Sequence, residues 1–231
     1  MRTRKRISGG HFTGLLLVCL ALIVVFLSFQ DLRQRLRFID VGRMAARIER
    51  GGVVGTEAVL HTAAGIDART GQGMCLSDVV KAGATVELTR LDRMDLTNAF
   101  PQWVETADLA DSYLVHALSC LPTSGNLWLR LAMIRQAVAE VPTSLEHLVQ
   151  LSQLYAPAEA DVLRARLLML NRLSPVGMSA LAPIWKADVN VACGQRYSWA
   201  VRGLPPAKGE IRDYLSKRPE NGSSLDWCKP S

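Results

Sequence analysis

Four histidines, five cysteines and 21 acidic residues carry the capacity for chemistry in this chain, and their spacing decides what they can do. His11, His61, His116 and His147 are widely scattered and stand at no metal-ligand spacing from Cys, Asp or Glu. No metal centre is expected. His116 and His147 fall on helical segments as surface or capping residues, and no Ser or Cys motif near His61 makes it a catalytic base. Gly71-Gln72-Gly73 lacks the third glycine and the preceding strand of a dinucleotide turn, and there is no Gly-Lys-Ser/Thr phosphate loop, so no cofactor is expected. The acid pairs Glu57 with Asp67 and Glu159 with Asp161 read as helix-start residues facing the positive end of the helix dipole. No residue is assigned a catalytic role, and the chain reads as a non-enzyme.

The cysteines have a more definite use. Cys75, Cys120, Cys193 and Cys228 lie outside the apolar segment, an even number suited to disulfides in an oxidising compartment. Three pairings are open. The preferred one joins Cys193 to Cys228, closing a loop of about 35 residues worth roughly 3–4 kcal/mol in the chain-entropy model, and Cys75 to Cys120, tying the first helix of the folded domain to the later helices.

Residues 12–29 form an uncharged apolar run directly behind Arg2, Arg4, Lys5 and Arg6. At about 1.5 Å per residue such a run is near the short end of what crosses a hydrocarbon core of roughly 30 Å. Bulky residues through Phe26–Arg33 argue against a signal-peptidase site. The expectation is an uncleaved single-span anchor with residues 1–11 in the cytoplasm and the bulk of the chain on the outer side. A cleaved, soluble periplasmic binding protein is the alternative. The net charge of +6 invites a nucleic-acid reading, but without the four N-terminal cations 23 Lys and Arg face 21 Asp and Glu. Nucleic acid is therefore not an expected partner. The remaining local excess, Arg33 to Arg47, is placed to meet lipid headgroups or a partner's juxtamembrane acids.

The elements that position these residues are helical throughout. Leu32, Leu36, Ile39, Met44 and Ile48 recur at mostly helical intervals, so residues 30–50 read as an amphipathic stalk; span and stalk together could pair with a second copy. The Gly- and Ala-rich stretch 51–74 reads as a flexible linker. Asp78–Val86 and Leu88–Phe100 look like short helices. Clearer ones come next over Ala107–Leu121, Asn126–Val141, Leu145–Tyr155 and Glu159–Leu173, bounded by Pro101, Pro122, Pro142, Pro157 and Pro175. Val176–Trp185 could add another helix, completing a helical domain over 75–185; residues 186–231 read as an irregular tail.

Two helix ends repeat. Leu114-Val-His-Ala117 leads to Leu121-Pro122, and Leu148-Val-Gln-Leu151 leads to Ala156-Pro157, with 35 residues between the prolines. Trp128, Leu131 and Ala132 fit the first helix of a tetratricopeptide repeat, Ser144, Leu148, Leu151 and Pro157 the second, and Ala110, Leu114, Ala117 and Pro122 a preceding half-repeat. Residues 105–174 thus resemble a degenerate tetratricopeptide array of about two repeats, although Arg135 and Ala132 replace the usual tyrosine and glycine. The stretches Leu118–Ala132 and Ser152–Glu159 are also similar to single-span, envelope-facing helical-repeat proteins of Gram-negative bacteria, several of which resemble accessory proteins of exopolysaccharide assembly.

The resemblance implies an all-α fold and a groove lined by first helices. By correspondence, Asn126, Leu129, Met133 and Gln136 would face that groove from one helix, and Asp161, Arg164, Leu168 and Asn171 from the next. This mixture suits an extended peptide or a partner's helix; the competing arrangement packs these positions against the tail. Trp128 is expected in the core and Trp103 at a hairpin edge. The function read here is a scaffold that docks protein partners of an envelope complex from the bacterial inner membrane, with its C-terminal domain in the periplasm. The enzymatic alternative is a glycan-modifying envelope protein using a carboxylate pair.

Overall fold

The computed structural model describes residues 9–70, 75–194, 199–217 and 226–228, and every regular element among them is helical. Helix α1 (Gly9–Arg37) carries the apolar run. It is the one helix among the described residues long and apolar enough to cross a membrane, with a mean hydropathy of 2.5 over its candidate span and none of that window buried in the protein. A single apolar N-terminal helix fits a single-pass membrane protein. Most of the expected cytoplasmic tail 1–11 lies outside the described residues.

The stalk departs from expectation. The chain turns at Phe38, and α2 (Ile39–Glu49) packs on the folded domain instead of continuing outward. The reason is local: Phe38, Val41 and Ala45 are all buried, and Met44 and Ile48 pack beside them, so the apolar stripe of residues 30–50 is spent inward in its second half. The stretch 51–74, expected as a flexible linker, also differs. Beyond Gly51, which takes a positive φ of 70° that a side chain would resist, α3 (Thr56–Thr70) buries Val59, Ala63 and Ile66 against its neighbours. The buried face of this helix is supplied by Val59, Ala63 and Ile66, a pattern that the Gly- and Ala-rich composition alone did not distinguish from a linker.

The two short helices expected over 78–100 are one helix, α4 (Ser77–Asp92), then a turn and α5 (Phe100–Cys120). Nothing at Glu87 breaks the helix, and its side chain is instead buried beside Arg90 at 2.8 Å. Helices α4 and α5 approach closely at Gly83, where an added Cβ would fall on the Tyr113 hydroxyl. That hydroxyl donates to the Val80 carbonyl at 3.0 Å. Trp103 is buried rather than at an edge, 7% exposed and stacked on Phe100; Trp128 is half-buried, donating Nε1–H to the Pro122 carbonyl at 2.8 Å.

Next come α6 (Gly125–Val138), capped by Ser124, and α7 (Pro142–Tyr155) and α8 (Ala160–Leu170). Beyond them lie α9 (Pro175–Ala180), capped by Ser174, and α10 (Ala182–Ala192). The segment expected as one helix over 176–185 is therefore split at Leu181. Consecutive helices α4 to α7 pack on one another, α6 also meets α8, and α7 meets α10. The tail contains more structure than expected: a helical turn at 199–201, α11 (Gly209–Ser216) and a short turn at Asp226–Cys228. Two disulfides hold the molecule, Cys75–Cys120 and Cys193–Cys228. The first joins the residues before α4 to the last residue of α5, and the second joins the end of α10 to the C-terminal turn.

Candidate functional site

The face formed by α4, α6 and the entry to α8 holds a polar cleft of about 440 Å³, within the size range of ligand pockets. Its centre is Arg130, on the same side of α6 as Asn126 one turn earlier and the exposed Met133. Arg130 Nε donates to Asn126 Oδ1 at 2.8 Å, and Nη1 donates to the Thr85 hydroxyl at 3.1 Å. Thr85 in turn donates toward Glu49 Oε1 at 3.3 Å, so the cleft joins α6 to α4 and to the last residue of α2. Burial pulls the Arg130 guanidinium below its ordinary value, and the charge of Glu49 works in the opposite direction. Arginine remains cationic under such a shift. Lys81, Tyr155 and Glu159 complete the rim, and all three are exposed.

This arrangement can hold an anionic or amide group by directed hydrogen bonds, with a cation at the back and groups of both signs at the mouth. Among the described residues, no cluster of three or more His, Cys, Asp or Glu could hold a metal ion. His61 and His147 are exposed on α3 and α7; His116 is half-buried, with its Nε2 3.8 Å from the Cys120 sulfur. Glu57 and Asp161 lie in the first turns of α3 and α8.

The eight expected groove residues are not brought together. Asn126 lines the cleft and Met133 is exposed beyond it, but Leu129 is 2% exposed and belongs to the core. Gln136 is spent on the Met169 carbonyl at 3.4 Å, between α6 and α8. Asp161 is exposed and Leu168 half-buried. Arg164 and Asn171 face the chain's own tail. Arg164 Nη1 donates to the carbonyls of Ala200 and Arg202, while Asn171 donates to the Pro206 carbonyl at 3.1 Å and accepts from the Lys208 amide at 2.9 Å. At Arg164 and Asn171 the expected open groove is therefore occupied by residues 200–208, whose carbonyls and one amide these two side chains satisfy. The sequence reading missed Arg130, although its i, i+4 spacing from Asn126 marks it; the stripe on α6 runs 126, 130, 133 rather than 126, 129, 133.

A second polar cluster was also missed, and it is structural. Arg166 is fully buried and forms a two-point pair with Asp188, Nε to Oδ2 at 2.8 Å and Nη2 to Oδ1 at 3.0 Å. Its remaining donors reach the Ser152 hydroxyl at 3.2 Å and the carbonyls of Ser152, Ala156 and Pro157, closing the C-terminal end of α7. Gln153 donates to Asp188 Oδ1 at 2.9 Å. No room is left for a ligand.

Fold and cleft together define a disulfide-bonded, all-helical domain carried on one apolar N-terminal helix. No protein-family model, curated protein or solved structure matches the chain.

Proposed function

We propose that the protein is a membrane-anchored docking subunit: a helical-hairpin domain of tetratricopeptide type, held by α1 in the bacterial inner membrane with its C-terminal domain in the periplasm, that binds a segment of a partner protein in the Arg130 cleft. The observation that carries this reading is the cleft itself, a concave polar surface on the face of first helices α4 and α6, backed by Arg130 and rimmed by exposed Lys81 and Tyr155. An acidic or amide-rich extended segment suits it. The hairpin reading is supported by the way α6/α7 and α8/α10 pair while α6 meets α8 and α7 meets α10, as in stacked repeats. The periplasmic placement is supported by two disulfides, which persist in an oxidising compartment. A role in exopolysaccharide synthesis or export is the pathway the sequence resemblance favours.

The test is site-specific photo-crosslinking in cells, with the photoreactive residue at Tyr155 in the cleft rim or at His147, exposed elsewhere on α7. The docking reading expects a discrete crosslinked partner from position 155 that position 147 does not give. Identical patterns from both positions, or none, would count against it.

A further inference from the structure

A second, separate cleft lies where the chain leaves α1. It occupies about 470 Å³ between the end of α1, α2 and the start of α4, and four arginines line it: Arg35, Arg43, Arg47 and Arg50. We propose that this cleft binds the phosphate headgroup of an anionic phospholipid in the leaflet from which α1 emerges. The inference rests on α1 crossing a membrane and is independent of the docking role of the Arg130 cleft.

The cleft lies at headgroup depth. Arg35 stands six residues beyond Phe29, about 9 Å along a helix, near the outer edge of the interfacial layer about 5–8 Å deep that borders the hydrocarbon. Leu32, Leu36 and Ile39 are 53%, 56% and 40% exposed beside the arginines. Apolar side chains alternating with cations at this depth are the pattern of a helix seated in the interface. The turn at Phe38 then gathers the cations. With Phe38, Val41 and Ala45 buried, α2 packs on α4, and Arg43, Arg47 and Arg50 border the same cleft as Arg35 and the start of α4.

The charge balance favours an anion. From residue 31 to residue 50 there are six arginines against Asp31, Asp40 and Glu49. Two acids bear on the cleft: Asp78 lines it, and with Asp31 it holds Arg35, at 2.8 and 2.9 Å. These bonds fix Arg35 in place, and Arg43, Arg47 and Arg50 supply the rest of the positive charge in the cleft lining. Planar guanidinium groups match phosphate oxygens two at a time, and a basic pocket beside a span is suited to a headgroup.

The experiment uses the full chain in detergent, titrated with phosphatidylglycerol or phosphatidylcholine of equal acyl length, with bound lipids counted by native mass spectrometry. The anionic lipid is expected to bind more tightly, and its affinity to fall about fivefold in R43Q and about fivefold again in R43Q/R47Q, while phosphatidylcholine binding stays unchanged. Both positions are exposed, so far-UV circular dichroism should match wild type; R43K/R47K retains the charge and most of the preference, and checks for loss through misfolding. R2Q/R4Q/K5Q/R6Q, which discharges the other end of α1, should leave the preference intact. An equal affinity for both lipids, a preference untouched by R43Q/R47Q, or one lost only in the N-terminal variant would overturn the proposal. So would glycerol phosphate competing as well as the intact lipid, which would mark a free-phosphate site.

Discussion

At Arg166 a full guanidinium charge sits where no solvent reaches, and each of its three nitrogens has an acceptor. Such a pair is weak evidence for stability in itself, yet removing one member strands the other. Asp188→Ala should therefore destabilise the domain by about 3–5 kcal/mol, and R166M/D188L should recover much of that loss; chemical denaturation of both variants checks the two values. Arg164, two positions earlier on the same helix, is half-buried and holds the tail. Nothing in the residue types separates these two arginines: the helix reads Asp-Val-Leu-Arg-Ala-Arg-Leu-Leu, and only the partners supplied by α7, α10 and the tail decide which is buried. Asp95, in the turn after α4, presents a different case. Its carboxylate accepts the amides of Thr97 at 2.9 Å and Asn98 at 3.0 Å and the Asn98 side chain at 2.6 Å, and these bonds, the side-chain one first, hold it below its ordinary value of 3.8. A depressed carboxylate lends stability that is present above the unfolded value and lost as pH falls through the folded one. The Thr97 and Asn98 amide shifts should titrate with a midpoint below 3.8 by NMR; a midpoint at or above it would contradict the assigned bonds.

Among the elements, those with strong punctuation were readable and those depending on long-range partners were not. Proline starts gave the beginnings of α7 and α9 to within a few residues, because a missing N–H costs nothing at a first turn, but not the break at Leu181. Helices α2 and α3 were read as stalk and linker because their burial depends on α4, which comes later in the chain. The preferred cysteine pairing is the one present. Cys75–Cys120 spans 45 residues and closes the α4/α5 pair, so C75A/C120A should lower stability by about 3–4 kcal/mol in the chain-entropy account, measured by thermal or denaturant unfolding against the same variant of the second bridge. The tail is held on α8 by side-chain bonds in addition to its disulfide. N171A, which deletes both bonds to Pro206 and Lys208, should raise amide exchange across 200–208 while leaving exchange in α6 unchanged. Uniformly faster exchange in both would mean that the tail is part of the core and not a cover laid over it.

For the whole molecule, a helix with a 24-residue candidate span from Gly14 to Arg37 leads into a domain that carries two polar clefts. One lies beside the end of α1 and is lined by arginines; the other opens between α4, α6 and the loop before α8, around Arg130. Arg164 and Asn171 of the expected groove are taken up by the chain's own tail, so the proposed docking surface is restricted to α4, α6 and the loop before α8. The measurement that tests docking most directly is quantitative affinity purification of the tagged full-length chain from detergent-solubilised membranes, compared with a variant carrying Lys81→Glu and Tyr155→Ala. Both residues are exposed, so the variant should keep the wild-type melting temperature. The predicted result is a reproducible set of partners from one envelope assembly, reduced at least tenfold in the variant. Partners retained in full by a folded variant would contradict it.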